Sequence, residues 1–335
     1  MIIALKAARL AAVLAVSAGI AYSSPIINVV YDPTVTFTAG DKAQIQNAID
    51  FFTSNITSTF DVTIAFGGQA GGGASTSSFS DTVDYGTYYN ALVSHSSGNA
   101  TDISAIASLG GANASNPVTG STNISLKPTL EVALGIGSQV SGSFSGCDNV
   151  TANACIQVGT AVLNASGAPM ASLMGTVEHE IDEVLGTSSA LRSSNSPTLP
   201  DNPSAADLYR YGAPGVRSFA YNLSTDVPCT GSPTGYFSIN SGATNLNQYN
   251  NCNNGGDYGD WIYTDGLQVQ DAFGPDDVAS ALNLSSPEVT LLDAVGYNFN
   301  AISTTPEPSS LFMLLTSLAA VPVLRRYVAG KPRRS

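Results

Sequence analysis

One short stretch of the sequence carries the residue types that metal-dependent hydrolysis requires. Residues 171–186 read ASLMGTVEHEIDEVLG, in which His179 and Glu183 are four residues apart. On an α-helix this spacing places both side chains on one face, one turn apart, so they can bind a single ion. Glu180 lies at the flank of the pair, where a general base could reach a water molecule on the metal. The spacing therefore predicts a metal-binding helix over residues 171–185.

The same helix is predicted to bury one face and to expose another. At about 100° per residue, one arc of the helix is apolar and predicts the side that packs against the rest of the protein. Its members are Leu173, Met174, Val177, Ile181, Val184 and Leu185. Glu178 and Asp182 fall together on a separate side, which the pattern assigns to solvent. The chain has only two histidines, His95 and His179, so a site built from histidines alone is excluded. His95 is expected to end a helix in a structural role.

Periodicity and capping residues predict the elements around this helix. The chain begins with an edge strand over Ile26–Tyr31, and Asp41 could cap a helix that runs to Thr53. A strand over residues 60–66 precedes a glycine-rich loop over residues 67–73. Further predictions are a helix at Tyr85–His95, strands at 131–136 and 155–163, and a hairpin at 236–244. A last helix is predicted with Ser286 as N-cap, Pro287 in its first turn and Gly296 as its stop.

The composition and net charge of the chain exclude some classes of protein and of binding partner. The chain has 335 residues, of which 43% are hydrophobic and 11% are charged, and this is too apolar for a disordered protein. Its formal net charge is −13, although most basic residues lie near the two ends. The acidic body would repel phosphate backbones, so nucleic acid is excluded as a partner.

Both ends of the chain have the pattern of targeting segments. Residues 1–21 combine Lys6 and Arg9 with a short apolar run and small residues, as in a cleavable secretory signal peptide. Residues 301–335 are predicted to be a linker and a sorting signal. This tail contains Pro-Glu-Pro at 306–308, an apolar run at 311–324 and then an Arg-Arg pair. As a helix that run would rise about 21 Å, less than the roughly 30 Å hydrocarbon core of a bilayer.

The tail resembles the PEP-CTERM sorting signal of Gram-negative bacteria that make exopolysaccharide. The resemblance implies that the apolar run at 311–324 acts as a short transmembrane helix and holds the protein briefly in the inner membrane. A sortase-like enzyme would then cut near Pro-Glu-Pro and release the protein to the cell envelope or the outside. Four cysteines fit this oxidising destination, and we expect Cys147 to pair with Cys155 and Cys229 with Cys252. Metal binding by these cysteines is the alternative, but C-x-x-C spacing does not occur.

The 171–185 helix resembles that of the zincin metalloproteases, whose H-E-x-x-H sequence supplies two histidine ligands and a general-base glutamate. Glu183 stands here in place of the second histidine, and a carboxylate oxygen is also an accepted zinc ligand. Gly186 fits the longer H-E-x-x-H-x-x-G spacing of metzincins, although their third histidine would fall at Ser189. The resemblance implies one zinc ion bound by His179 and Glu183, with Glu180 as the base.

Other segments are similar to a family of PEP-CTERM-sorted metalloproteases. They are a strand-helix-strand entry, ADLYRY at 206–211 with APG at 213–215, GDYGDW at 256–261 and LDAVGY at 292–297. The family implies an α+β fold for residues 22–300: a zincin- or metzincin-like catalytic domain with a twisted sheet and an active-site helix, then a loop- and β-rich C-terminal part. It also implies a secreted or cell-surface zinc endopeptidase that acts on protein or peptide substrates. The alternative is a non-catalytic envelope or exopolysaccharide-matrix protein with the same fold.

In zincins the third ligand can be an acid tens of residues after the helix, and our candidate is Asp207. It follows a proline-rich loop and opens a short helical or turn segment. The alternative, that Asp207 caps this turn or pairs with Arg210, stays open. Tyr209 and Tyr211 are candidates for stabilising an oxyanion, against the alternative that both are packing aromatics.

Calcium is a further candidate cofactor, because carboxylates are abundant in the later part of the chain. The acids concerned are Asp257, Asp260, Asp265, Asp271, Asp276 and Asp277. They show no EF-hand spacing, and roles in turns and helix caps account for the same residues.

Overall fold

The computed structural model describes residues 24–111, 115–163, 170–191, 201–219, 224–227, 229, 235–262, 267–273 and 281–300. The expected signal peptide and sorting tail lie outside these residues, as do Asp265, Asp276 and Asp277. The helices are α1 (Ala39–Asn55), α2 (Tyr85–His95), α3 (Ala100–Ser108), α4 (Pro128–Ala133), α5 (Met170–Leu185), α6 (Pro287–Val295) and a 3₁₀ turn at Ala206–Tyr209. The strands are β1 (Ile26–Tyr31), β2 (Asp61–Gln69), β3 (Ala74–Ser78), β4 (Asp81–Asp84), β5 (Asn123–Leu126), β6 (Gly142–Phe144), β7 (Cys147–Ala152), β8 (Ala154–Gly159), β9 (Arg210–Ala213), β10 (Val216–Arg217), β11 (Tyr236–Phe237) and β12 (Asn247–Gln248).

A four-stranded sheet supports helix α5. Its strand order is β1-β2-β8-β3, with β1 and β8 parallel to β2 and with β3 antiparallel to β8. Helix α5 packs against α1 and against β3, and it also contacts α6. A second sheet of short strands has the order β10-β9-β11-β12. The expected α+β class is confirmed. Within the described part of the chain, we find no helix with both the length and the apolar character needed to span a membrane.

Two predicted boundaries are corrected by capping and by packing. Thr38, not Asp41, is the N-cap of α1, and Asp41 completes a capping box as the third helical residue. Part of the predicted glycine loop belongs to β2, because Gly67 and Gly68 pair with β8. A Cβ atom at Gly67 would lie 1.9 Å from the carbonyl oxygen of Gly146, so only glycine allows this approach.

The strand predicted at 131–136 is wrong, since residues 131–133 belong to α4 and residues 134–136 form the turn that follows it. Pro128 occupies the first turn of that helix, where its missing N–H has no cost, and Glu131 lies in the same turn. Leu130 and Ala133 are both buried by this conformation. The predicted α6 is confirmed from Ser286 at its N-cap to Gly296, which has a φ of 131° that glycine adopts readily.

Both expected disulfides are present. Cys147 and Cys155 join β7 to β8 with their Cα atoms 6.1 Å apart, and Cys229 and Cys252 are joined across 5.5 Å. Covalent links of this kind are typical of exported proteins.

We predict that Asp293 on α6 makes folding stability depend on pH. This buried carboxylate accepts hydrogen bonds from Asn99 Nδ2 at 2.9 and 3.3 Å. Burial, helped by the charge of Asp102, raises the pKa of Asp293 to about 7. The folded protein therefore retains a proton that the unfolded chain releases near pH 4. The resulting stability is fully present below about pH 4 and is lost as the pH rises to about 7.

The Asp293→Asn variant tests this because asparagine is neutral at every pH. Its free energy of unfolding, measured by urea titration, should fall less between pH 5 and pH 8 than that of the wild type. Exposed Asp50 provides a control, and Asp50→Asn should keep the wild-type dependence. An Asp293→Asn profile parallel to the wild-type profile would contradict the assignment.

Candidate metal centre

Helix α5 and the loop after β12 bring three ligand groups together. His179 and Glu183 lie one turn apart on α5, and Asp260 reaches them from the loop. One ligand atom from each of these residues lies within 4.8 Å of the other two. The distance between His179 Nε2 and Asp260 Oδ1 is 3.5 Å. One imidazole nitrogen and two carboxylate oxygens form a donor set that zinc accepts.

A backbone carbonyl orients the histidine for binding. His179 Nδ1 lies 3.0 Å from the carbonyl oxygen of Val269, to which it can donate its proton. The Nε2 lone pair is then the one available to an ion, and such a partner fixes the ring orientation of metal-binding histidines. The His179 side chain is 16% exposed and the Asp260 side chain 6%, so the group approaches solvent mainly through the imidazole.

Glu180 has the environment of a general base. Its side chain is buried, and its Oε2 atom has no hydrogen-bond partner among the described residues. The Thr76 hydroxyl on β3 donates to the Glu180 backbone carbonyl at 3.1 Å and so ties this turn of α5 to the sheet. Burial raises the pKa of Glu180, which brings proton exchange closer to neutral pH.

Buried acidic groups surround His179. Burial raises the pKa of Glu183 well above its ordinary value and that of Asp260 to about 7. Burial alone would lower the pKa of His179, but Asp260, Glu180 and Glu183 together raise it to about 10. The protein thus retains protons at sites where an ion could replace them, and metal binding would release these protons.

The GDYGDW segment fixes Asp260. Asp260 Oδ2 accepts a hydrogen bond from the Asp257 backbone N–H at 3.1 Å. The next residue, Trp261, is fully buried, stacks on Phe237 with ring centroids 5.8 Å apart, and donates from Nε1 to Glu288 at 3.1 Å. Asp260 therefore lies beside a fully buried indole ring and is itself held by a backbone hydrogen bond.

Asp207, our candidate from the sequence, is not a member of this group. Its carboxylate is buried and accepts hydrogen bonds from the Ser189 hydroxyl at 2.5 Å, from Ala190 N–H at 3.0 Å and from Ser204 N–H at 2.9 Å. These contacts cap the turn before the 3₁₀ segment and tie it to the chain that follows α5. The capping role considered as the alternative is the one that the structure shows.

Neither tyrosine has the contacts expected of an oxyanion donor. The Tyr209 hydroxyl is buried and donates to the carbonyl oxygen of Ala294 at 2.8 Å. The Tyr211 hydroxyl is buried too, and the Arg217 guanidinium lies 4.7 Å from the centre of its ring. Both residues pack as core aromatics.

The predicted solvent face of α5 is wrong. Glu178 is 2% exposed and Asp182 is 0% exposed, because residues near α6 cover this side of the helix. Glu178 accepts a hydrogen bond from the Leu282 N–H at 2.9 Å. Both Asp182 oxygens lack a hydrogen-bond partner within the described residues. Burial raises the pKa of Asp182 well above its ordinary value.

Comparison of the chain with protein-family models, with curated proteins and with solved structures found no match.

Proposed function

We propose that the protein is a secreted zinc-dependent endopeptidase in which His179, Glu183 and Asp260 hold one ion and Glu180 acts as general base. The observation that carries the proposal is the convergence of the three ligand atoms within 4.8 Å. The unpartnered, buried Oε2 of Glu180, one residue from His179, supports a catalytic role over a purely structural one. The α+β architecture is compatible with a zincin-like fold, which we include in the proposal.

Each residue of the proposed centre has a separate role in peptide hydrolysis. A bound zinc ion would polarise the scissile carbonyl and lower the pKa of water toward about 7. Glu180 would take a proton from the attacking water and deliver it to the leaving amine. Val269 keeps the imidazole of His179 in the orientation that leaves Nε2 available. Two carboxylate ligands donate more negative charge than two imidazoles, so we expect slower hydrolysis than at a two-histidine site.

The proposal extends to location and to processing partners. Two disulfides support export to an oxidising compartment. The signal peptide would direct export, and the tail from Pro306 would hold the protein in the inner membrane until a sortase-like enzyme removes it. Mass spectrometry of the extracellular protein should therefore find no peptides beyond Leu311.

Burial of the centre favours one alternative function. Glu183 is 7% exposed and Asp260 is 4% exposed, as in sites where an ion stabilises the fold. A non-catalytic envelope or matrix protein would bind the same ion without cleaving peptides.

A proteolysis assay separates these two functions. The purified protein is incubated with an unfolded protein substrate, before and after treatment with a zinc chelator. Cleavage that the chelator stops and that added zinc restores would support the endopeptidase. A zinc-loaded protein that cleaves nothing would support the alternative function.

A further inference from the structure

A glutamine side chain lies directly against two of the three proposed ligands. Gln270 Nε2 is 3.1 Å from His179 Nε2 and also 3.1 Å from Asp260 Oδ1, to which it donates. Gln270 is 1% exposed, so no solvent separates the amide from these atoms. One end of the amide thus faces the two ligand atoms between which a cation would bind.

The other end of the amide has no partner. Gln270 Oε1 is buried and accepts no hydrogen bond within the described residues. Buried carbonyl oxygens are ordinarily paired, and an unpaired one calls for an explanation. The oxygen and nitrogen of an amide exchange places when the last side-chain torsion rotates by about 180°.

The backbone of Gln270 is held by hydrogen bonds at both its N–H and its carbonyl oxygen. Its N–H donates to Glu288 Oε1 at 3.0 Å, and its carbonyl oxygen accepts from Trp261 N–H at 2.8 Å. The preceding residue, Val269, orients His179. Residues 269–270 therefore contact the candidate centre at two points. The Val269 carbonyl oxygen lies against His179, and the Gln270 side chain lies against His179 and Asp260.

We propose that Gln270 supplies a fourth protein ligand, its amide oxygen, to the metal centre by turning its amide when the ion binds, so that water takes a fifth position. An N–H₂ group directed at His179 Nε2 and Asp260 Oδ1 presents partial positive charge to the space that a cation would enter. Rotation replaces that charge with the negative end of the carbonyl dipole and gives the unpartnered oxygen a partner. Amide oxygens are established ligands of metal ions. The inference rests on the proposed function, because it requires that His179 and Asp260 bind metal.

The test compares zinc affinity and a spectroscopic signal in the purified protein. Gln270→Leu removes both polar atoms and should weaken zinc binding, measured against a competing chelator, by about 10-fold or more. Gln270→Glu keeps an oxygen and adds charge, so it should bind zinc at least as tightly as the wild type. Gln248, on β12, is the control, and Gln248→Leu should leave the affinity unchanged. In the wild type, the side-chain ¹⁵N resonance of Gln270 should shift when zinc is added.

The outcomes distinguish this inference from the proposed function. If Gln270→Leu binds zinc as tightly as the wild type and the Gln270 resonance does not move, the amide is not a ligand, although the three-residue centre stands. If the wild type itself binds no zinc, the proposed function fails first. The resonance measurement needs no substitution, so an unmoved Gln270 resonance in the zinc-loaded wild type rejects the amide as a ligand even if the leucine variant does not fold.

Discussion

Replacing Glu180 by glutamine should lower kcat for peptide hydrolysis by about 10²- to 10⁴-fold, the usual contribution of a general base. Glutamine has nearly the same shape as glutamate but cannot accept the proton that the attacking water loses. Glu180 is also outside the three-ligand group, so the zinc content of the variant should equal that of the wild type. Cleavage of an unfolded substrate and metal analysis of the same sample check both statements.

The neighbouring Glu178 provides a matched control. It is equally buried on α5, but its carboxylate accepts from Leu282 N–H rather than facing the centre. Glutamine can accept that bond through its amide oxygen, so Glu178→Gln should keep its cleavage activity. Wild-type cleavage by Glu180→Gln, or an equal loss in both variants, would show that Glu180 is not the base.

Substitution of the proposed ligands should remove the metal. His179→Ala and Glu183→Ala each delete one of three donors and leave buried carboxylates without their cation, so we expect zinc affinity to fall by more than about 100-fold. Equilibrium dialysis against a zinc buffer measures the change. Tight zinc binding by Glu183→Ala would mean that the H-E-x-x-E spacing on α5 is incidental.

Substitution of two aspartates distinguishes the ligand set proposed from the structure, which includes Asp260, from the set predicted from the sequence, which includes Asp207. Asp260→Asn weakens a proposed ligand and should lose zinc as the histidine variant does. Asp207→Asn should retain zinc, because Asp207 bonds to Ser189, Ala190 and Ser204 instead. If the two variants behaved in the opposite way, Asp207 would be the third ligand after all.

Local patterns were sufficient to predict α5, which carries two of the proposed ligands, and α6, which packs against it. The spacing of His179 and Glu183 predicted α5, and Ser286, Pro287 and Gly296 predicted the limits of α6. Such signals are effective because caps and helical periodicity involve residues close together in the sequence.

The third proposed ligand, Asp260, could not be predicted in this way. Asp260 reaches α5 only because Trp261 is buried against Phe237 and Glu288, which are distant in the sequence. The GDYGDW segment contained a usable signal. Asp260 directly precedes the chain's single tryptophan, and a tryptophan buried in the core fixes the position of its neighbour. The burial of Glu178 and Asp182 was missed for a related reason, because a helical wheel does not show that a second layer covers the polar face.

The metal content of the purified protein tests the central claim most directly. Element analysis after dialysis should find about one equivalent of zinc per chain, removed by a chelator and restored by added zinc. The same analysis should find almost none in Asp260→Asn. A folded wild-type protein that bound no zinc, or an Asp260→Asn variant that kept a full equivalent, would contradict a centre made by His179, Glu183 and Asp260.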